Sequence, residues 1–119
     1  MSTPDNHRRI DYIEFGARDI AATKQFYSQA FGWPFEDWGP DYISFHDGRL
    51  AGGFYRLEGE APRGGGPLVV LYATDLEAME KAVNAAGGRI VREAFSFPGG
   101  RRFHFADPSG NELAVWSEK

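Results

Sequence analysis

The feature that most constrains this chain of 119 residues is an internal repeat with an offset of 56 positions. A residue suited to cap a helix, Asp19, recurs as Asp75, and a glycine suited to end one, Gly32, recurs as Gly88. Gly87 and Gly88 together are expected to stop the second helix. The apolar or small residues between them keep the same offset, as Ile20 and Leu76, Ala22 and Ala78, and Ala30 and Ala86 do. Two copies of one supersecondary unit are therefore predicted, each of which needs its mate to bury an apolar face.

Each copy is predicted to contain a strand, a helix and three further strands, because alternation with a period of two surrounds one segment with helical spacing. The predicted strands are 10–15, 35–38, 42–46, 50–57, 68–72, 89–95, 101–106 and 111–116. We therefore predict an α+β fold with two tandem βαβββ modules that form a curved mixed sheet around a cleft, with the helices on its outer face. The alternative is a two-layer sandwich whose open face meets solvent or a partner subunit.

The domain organisation follows from where the repeat begins and ends. Residues 1–9 are predicted to be a disordered polar tail, and residues 10–118 a single domain. Within it we expect module one at 10–57, a linker rich in glycine and proline at 58–66, and module two at 67–117. The tail has no apolar segment, so we expect neither a signal peptide nor a membrane anchor.

Composition narrows the classes of function. The chain has no cysteine, which excludes disulfides and thiolate metal sites and fits a cytoplasmic location. Its formal charge of −4, with no long basic block, argues against nucleic acid as a partner. Small molecules and proteins remain, and we expect no membrane partner.

The final strand indicates where function should be sought. It follows a turn at 107–110, in which Pro108 and Gly110 suit the central positions. Alternation then points Leu113 and Val115 toward the core, and Glu112, Ala114 and Trp116 toward the opposite face. We expect the functional site on that second face.

These motifs carry a resemblance to a known family. The doubled βαβββ order, the first helix with its Phe26-Tyr27 and Phe31-Gly32-Trp33, and the Asp107-Pro108-Ser109-Gly110-Asn111 turn resemble the vicinal oxygen chelate superfamily. This group includes glyoxalases, bleomycin resistance proteins and extradiol dioxygenases, and the resemblance extends over nearly the whole chain, from Arg9 to Glu118. It implies the fold more firmly than the reaction.

The resemblance also implies four positions for metal ligands, one on each of four strands. In this sequence they fall at Tyr12, at about Gly53, at Leu68 (or Pro67 if the strand slips by one) and at Ala114. A phenol beside three side chains without a donor atom is a poor site for a divalent ion. We therefore expect no metal and no cofactor, which argues against glyoxalase I activity and extradiol ring cleavage.

Three residues are candidates for acid–base chemistry. Glu14 and Glu112 lie two positions from Tyr12 and Ala114, so alternation places both on the presumed cleft face. His104 is expected to share that face, because Phe103 and Phe105 point toward the core. The alternative is that the two glutamates are solvated or paired with Arg102 and that His104 is structural.

Ligand binding is predicted for a set of aromatic residues and one arginine on the same face. The set consists of Tyr12, Tyr55, Tyr72, Arg102 and Trp116. The alternative is that the aromatic residues fill the space of the missing metal site. His46, beside a predicted Asp47-Gly48 hairpin turn, is expected to be solvated.

Three functions stay open at this point. The first is a metal-independent protein that binds a small organic molecule, as a sequestering protein or a carrier. The second is an isomerase or lyase that uses Glu14, His104 and Glu112, and the third is a metalloenzyme with its ligands relocated to those same residues. Members of the family often dimerise, so we expect a homodimer, with Phe35 and Trp38 as candidate contacts.

Overall fold

A computed structural model describes residues 7–58 and 67–119 of the chain. The predicted linker therefore falls outside the described residues except at its first position, as does most of the predicted tail. The strands are β1 (Tyr12–Ala17), β2 (Phe35–Asp37), β3 (Tyr42–His46), β4 (Ala51–Arg56), β5 (Val69–Tyr72), β6 (Arg89–Phe97), β7 (Gly100–Ala106) and β8 (Glu112–Ser117). The helices are α1 (Ile20–Phe31) and α2 (Leu76–Ala85). The predicted βαβββ order is confirmed in both modules.

The strands form two separate four-stranded mixed sheets. The N-terminal sheet has the order β1-β4-β3-β2, and the C-terminal sheet has the order β5-β8-β7-β6. In each, the first and last strands of the module pair in parallel, and the other neighbours are antiparallel. The predicted α+β class and the tandem modules are thus confirmed. The strands form two four-stranded sheets, and no strand of one sheet is hydrogen-bonded to a strand of the other in the described residues.

The two helices begin in the same way and end differently. Asp19 and Asp75 each accept a hydrogen bond of 3.0 Å from the backbone three residues later, as N-caps do. Helix α1 ends at Gly32, which has a φ of 71°. In α2 the positive φ of 102° belongs to Gly87, the first of the two glycines that were predicted to stop this helix. Gly88 instead allows close packing, since a Cβ there would lie 2.8 Å from the ring of Phe26.

One apolar core joins the two modules. Tyr27 of α1 is fully buried, and its ring stacks on Trp33 with a centroid distance of 4.8 Å. Phe26, one residue earlier, lies 6.0 Å from Phe105 of the C-terminal sheet. Tyr27 also lies 5.0 Å from Phe54 of the N-terminal sheet, so α1 packs on both sheets and the two modules share one core.

The turn before β8 ties the modules together. Asp107 is buried and its carboxylate accepts hydrogen bonds from Tyr27 Oη, from the backbone of Ser109 and Asn111, and from Asn111 Nδ2. Asn111 Nδ2 also donates to the carbonyl of Gly16 over 2.8 Å. Burial raises the pKa of Asp107 above its ordinary value, although these donors oppose the rise. The stretch that resembles the family motif therefore has a structural role in this chain.

Within the described residues, no helix is long and apolar enough to cross a membrane. The predicted cytoplasmic location stays a prediction.

Candidate functional site

Each sheet has an open face, opposite the one that packs on the helices. On the N-terminal sheet, the open face carries Tyr12 and Glu14. It also carries the residues in register with Tyr12, Glu14 and Gly16, namely Ala51, Gly53, Tyr55, Tyr42, Ser44 and His46. On the C-terminal sheet it carries Val70, Tyr72, Glu112, Ala114, Trp116, Arg102 and His104. Leu113 and Val115 belong to the apolar core, whereas Ala114 does not, which agrees with the predicted alternation of β8.

Tyrosine hydroxyls occupy the space above Gly53, one of the four positions at which the resemblance implies a metal ligand. A Cβ on Gly53 would lie 2.0 Å from the hydroxyl of Tyr42 and 2.7 Å from that of Tyr12. These two hydroxyls are 2.5 Å apart, and Tyr42 donates to Glu14 Oε2 over 2.8 Å. Burial, followed by these two hydrogen bonds, raises the pKa of Tyr42, which keeps its hydroxyl protonated.

The other implied positions offer no better ligand set. Ala114 is fully buried between its register partners Val70 and His104. Leu68 is 38% exposed and apolar. The residues at the four positions therefore do not fit a divalent metal ion, because only Tyr12 brings a donor atom.

An open groove of about 770 Å³ lies on the N-terminal sheet. Its lining includes Tyr12, Trp38, Tyr42, Ser44, His46 and Ala51. Trp38 is 58% exposed and donates its indole N–H to Ser44 Oγ over 2.9 Å. A groove of this size and lining is within the range that holds small organic molecules.

A histidine–glutamate pair lies on the C-terminal sheet. His104 Nδ1 is 2.8 Å from Glu112 Oε2, and His104 is only 6% exposed. An ionised carboxylate only accepts hydrogen bonds, so Nδ1 carries the hydrogen and the neutral ring has its free lone pair on Nε2. Such a pair can accept a proton at Nε2 while Glu112 stabilises the resulting imidazolium.

Aromatic rings form a row across the same open face. Tyr72 and Trp116 are 5.2 Å apart in an edge arrangement, and Trp116 lies 6.2 Å from Phe97. The guanidinium of Arg102 lies 5.3 Å from the ring of Phe95 and 5.7 Å from that of Phe97. This combination of rings and a cation suits a flat organic ligand.

Strand β6 contributes to this face because its pairing with β7 is irregular. Its register shifts between Ile90 and Arg92 and again between Arg92 and Phe95. The shifts place Arg92 opposite His104 and Phe95 opposite Arg102, and the guanidinium of Arg92 lies 3.7 Å from the centroid of Phe95. Bulges of this kind often re-aim side chains at functional sites.

The structure divides the predicted site residues between the two open faces. Tyr12, Glu14 and Tyr55 lie on the N-terminal sheet, whereas Tyr72, Arg102, His104, Glu112 and Trp116 lie on the C-terminal sheet. His104 and Glu112 are brought together as a pair. Within the described part of the chain, no hydrogen bond or ion pair joins Glu14 to either of them.

The alternative for the two glutamates, that they are solvated or paired with Arg102, holds in part. Both lie at exposed positions, but in the described residues Glu14 bonds to Tyr42 and Glu112 to His104, and neither pairs with Arg102. The described residues contain no group of three or more His, Asp or Glu side chains arranged to hold a metal ion, and Glu14 lies on the other sheet from His104 and Glu112.

Sequence reasoning missed several residues of these faces, namely Trp38 and Tyr42 on the N-terminal sheet and Arg92, Phe95 and Phe97 on the C-terminal sheet. Tyr42 could have been found, because it alternates with Ser44 and His46 in a strand that was predicted correctly. Arg92 and Phe95 could not, since an odd spacing in a strand predicts opposite faces until the bulge is known.

The chain is similar to known proteins in sequence and in fold. The sequence model of the Glyoxalase/Bleomycin resistance protein/Dioxygenase superfamily matches residues 9–115. The anthracycline biosynthesis protein DauV of Streptomyces sp. (strain C5) is 34% identical over 88% of this chain and 45% of its own length. DnrV of Streptomyces peucetius, also an anthracycline biosynthesis protein, is 33% identical with the same coverage. The chain thus spans about half the length of these curated relatives.

Solved structures show the same fold. A glyoxalase-related enzyme from Fulvimarina pelagi has a TM-score of 0.79 at 21% identity, covering 92% of this chain and 88% of its own. The family match, over residues 9–115, extends over most of the chain and includes nearly all of both modules. The chain therefore belongs to the Glyoxalase/Bleomycin resistance protein/Dioxygenase superfamily.

Proposed function

We propose that this protein binds a flat, aromatic small molecule on its open sheet faces, as a sequestering protein or a carrier. The observation that carries the proposal is the row of partly exposed rings formed by Tyr72, Trp116 and Phe97. The groove lined by Tyr12 and Trp38 supports it from the other sheet. Contiguous exposed apolar patches on a protein surface generally mark sites that bind a ligand or a partner.

The ligand class is a further part of the proposal. Two relatives take part, by their names, in the biosynthesis of anthracyclines, which are built on planar fused rings. A fused-ring polyketide of that kind would match the flat aromatic rows of this chain in shape and polarity. We therefore expect an anthracycline-like aglycone, rather than a small aliphatic oxoacid, as the ligand.

The proposal includes independence from a metal ion. The side chains at the four implied positions favour it, because three of them lack a donor atom and the space at Gly53 is occupied by tyrosine hydroxyls. On this view Tyr12 and Tyr42 shape the binding surface where other members of the family hold an ion. Arg102 would supply the fixed positive charge on the opposite sheet.

Titration with an anthracycline aglycone tests the binding function. We expect quenching of tryptophan fluorescence that saturates with a micromolar dissociation constant, because Trp38 and Trp116 lie on the open faces. A glutathione thiohemiacetal, the kind of substrate a metal glyoxalase takes, serves as the control and should cause no saturable change. Saturation by the control and none by the aglycone would contradict the proposal.

We also propose that the chain forms a homodimer that buries part of its exposed apolar surface. Trp38 is 58% and Tyr72 is 50% exposed, which leaves apolar surface on both sheets. Of the two predicted contact residues, Trp38 is the more exposed, whereas Phe35 is half-buried against Phe45 and Phe54 and also lines the groove. Light scattering at micromolar concentration should give about twice the chain mass of 13.3 kDa, and the mass of one chain would contradict the dimer.

The His104–Glu112 pair favours a second candidate, an isomerase or lyase that moves a proton next to a carbonyl. His104 Nε2 would act as the general base and Glu112 would position the ring and stabilise its charge. Glu14, which was predicted to share this role, is held by Tyr42 on the other sheet. Turnover of a bound ligand separates this candidate from the first.

A further inference from the structure

Two neighbouring polar atoms lack a hydrogen-bond partner on the open face of the C-terminal sheet. They are Arg102 Nε and His104 Nε2. Within residues 7–58 and 67–119, no other buried side-chain nitrogen or oxygen lacks a hydrogen-bond partner. Both belong to β7, two positions apart and on the same face. Buried polar groups are nearly always paired, so two adjacent exceptions indicate that a group is missing from this place.

The chemistry of the two atoms restricts what the missing group can be. Arg102 Nε–H can only donate, and His104 Nε2 accepts because Nδ1 donates to Glu112. A single group that serves both atoms must therefore accept one hydrogen bond and donate another. A hydroxyl does both, whereas a carboxylate, an ether or a carbonyl can only accept.

The surroundings indicate a hydroxyl on an aromatic ring. Phe95 lies 5.9 Å from the His104 ring, and the Arg102 guanidinium lies over Phe95 and Phe97. Phe95 is only half-buried and belongs to β6, the edge strand whose register is irregular. A flat ligand can reach the two nitrogens by displacing the Phe95 ring and stacking in the row that Phe97 and Trp116 continue.

We propose that Arg102 and His104 form a recognition site for an aryl hydroxyl group, which deepens and rests on the binding function proposed above. The ligand O–H donates to His104 Nε2, and its oxygen accepts from Arg102 Nε. With an acidic phenol the O–H bond breaks and an N–H bond forms at Nε2. The imidazolium is then paired with Glu112 and the phenolate with Arg102, so charge balances on both sides. Arg92, opposite His104, adds a second positive charge beside the phenolate.

A matched pair of probes, 2-hydroxyanthraquinone and 2-methoxyanthraquinone, tests this site. Both are flat, and only the first can donate a hydrogen bond. We expect the hydroxy compound to bind at least about tenfold more tightly. At a pH below the pKa of the free phenol, its bound form should also show the red-shifted absorption band of the phenolate.

Variants assign the effect to the two residues. Arg102→Gln should reduce the preference for the hydroxy compound, and His104→Gln should remove the phenolate band. Glu112→Gln, at a half-exposed position, should weaken the band while the fold is retained, which covers the case in which His104→Gln does not fold. Arg101→Gln is the control: it removes the same charge from the next residue of β7, which points the other way and pairs with Glu77.

Each outcome decides the matter. Tighter binding of the hydroxy compound that responds to Arg102→Gln and not to Arg101→Gln supports the site. Equal binding of both probes without a phenolate band overturns it in favour of an ordered water at the two nitrogens, and leaves the proposed binding function standing. Failure of both probes to bind contradicts the site and the proposed function together.

Discussion

The variant Asp107→Ala is expected to lose about 3–5 kcal/mol of the free energy of unfolding, a large share of what a domain of this size has. The carboxylate accepts from Tyr27, Ser109 and Asn111, and all of these donors are buried. Without it, at least three donors stay in the interior with no acceptor, at about 1–3 kcal/mol each before relaxation. Urea unfolding followed by circular dichroism gives the midpoint that checks this.

Two further variants give this prediction its controls. Asp107→Asn removes the buried charge and keeps one carbonyl oxygen as acceptor, so it should lose less, about 1–2 kcal/mol. Asp47 occupies the matching hairpin turn of module one, where its carboxylate accepts from the backbone of Arg49 and Leu50 in an exposed position. Asp47→Ala should therefore cost about 1 kcal/mol or less. If Asp107→Ala and Asp47→Ala unfold at the same urea midpoint, burial of the Asp107 turn contributes nothing to the free energy of unfolding.

The pH dependence of Asp107 has a definite sign. Its folded pKa is raised by burial, so the folded state binds the proton more tightly than the unfolded chain does. The stability linked to this group is therefore fully present below the unfolded pKa and is lost as the pH rises through the folded pKa. At neutral pH the burial of the Asp107 charge is unfavourable. The hydrogen bonds that its carboxylate accepts from Tyr27 of module one and from Ser109 and Asn111 of module two offset this cost.

The fold can be predicted well from the sequence because each element of the repeat is specified by residues close together in the chain. A capping aspartate, a helical stripe and alternating strands are all decided within about a dozen residues, and each was found at the expected place in both modules. Gly87 and Gly88 are both expected to stop α2, and Gly87 is the one that takes the positive φ. Gly88, which the repeat offset matches to Gly32, packs against Phe26 of the other module, a contact that no local pattern indicates.

The candidate site was less predictable because it depends on pairing between distant strands. Alternation alone put His104 and Glu112 on one face, and they meet because β7 and β8 form a short hairpin. Glu14 meets Tyr42 across 28 positions of sequence, a partner that no local pattern indicates. The division of Tyr12 and Tyr72 between two sheets likewise follows from topology, because the same module pattern allows one sheet or two.

The largest functional effect is expected for Trp116→Ala, which should weaken binding of an anthracycline aglycone roughly tenfold to a hundredfold. The indole connects the ring of Tyr72 to that of Phe97, so its loss opens a gap in the middle of the row. Stacking of a flat ring on an aromatic side chain contributes about 1–3 kcal/mol, which corresponds to that range. Calorimetric titration of the variant and the wild type measures the change directly.

The conservative change Trp116→Phe separates stacking from a general loss of structure. A phenyl ring keeps most of the flat surface, so binding should return to within about a few-fold of the wild type if stacking is the cause. Thermal unfolding of both variants checks that the sheet is intact, which we expect because Leu113 and Val115, not Trp116, face the core from β8. If alanine and phenylalanine weaken binding equally while both variants remain folded, the aromatic row is not the ligand surface, and the groove beside Tyr12 and Trp38 becomes the place where the ligand binds.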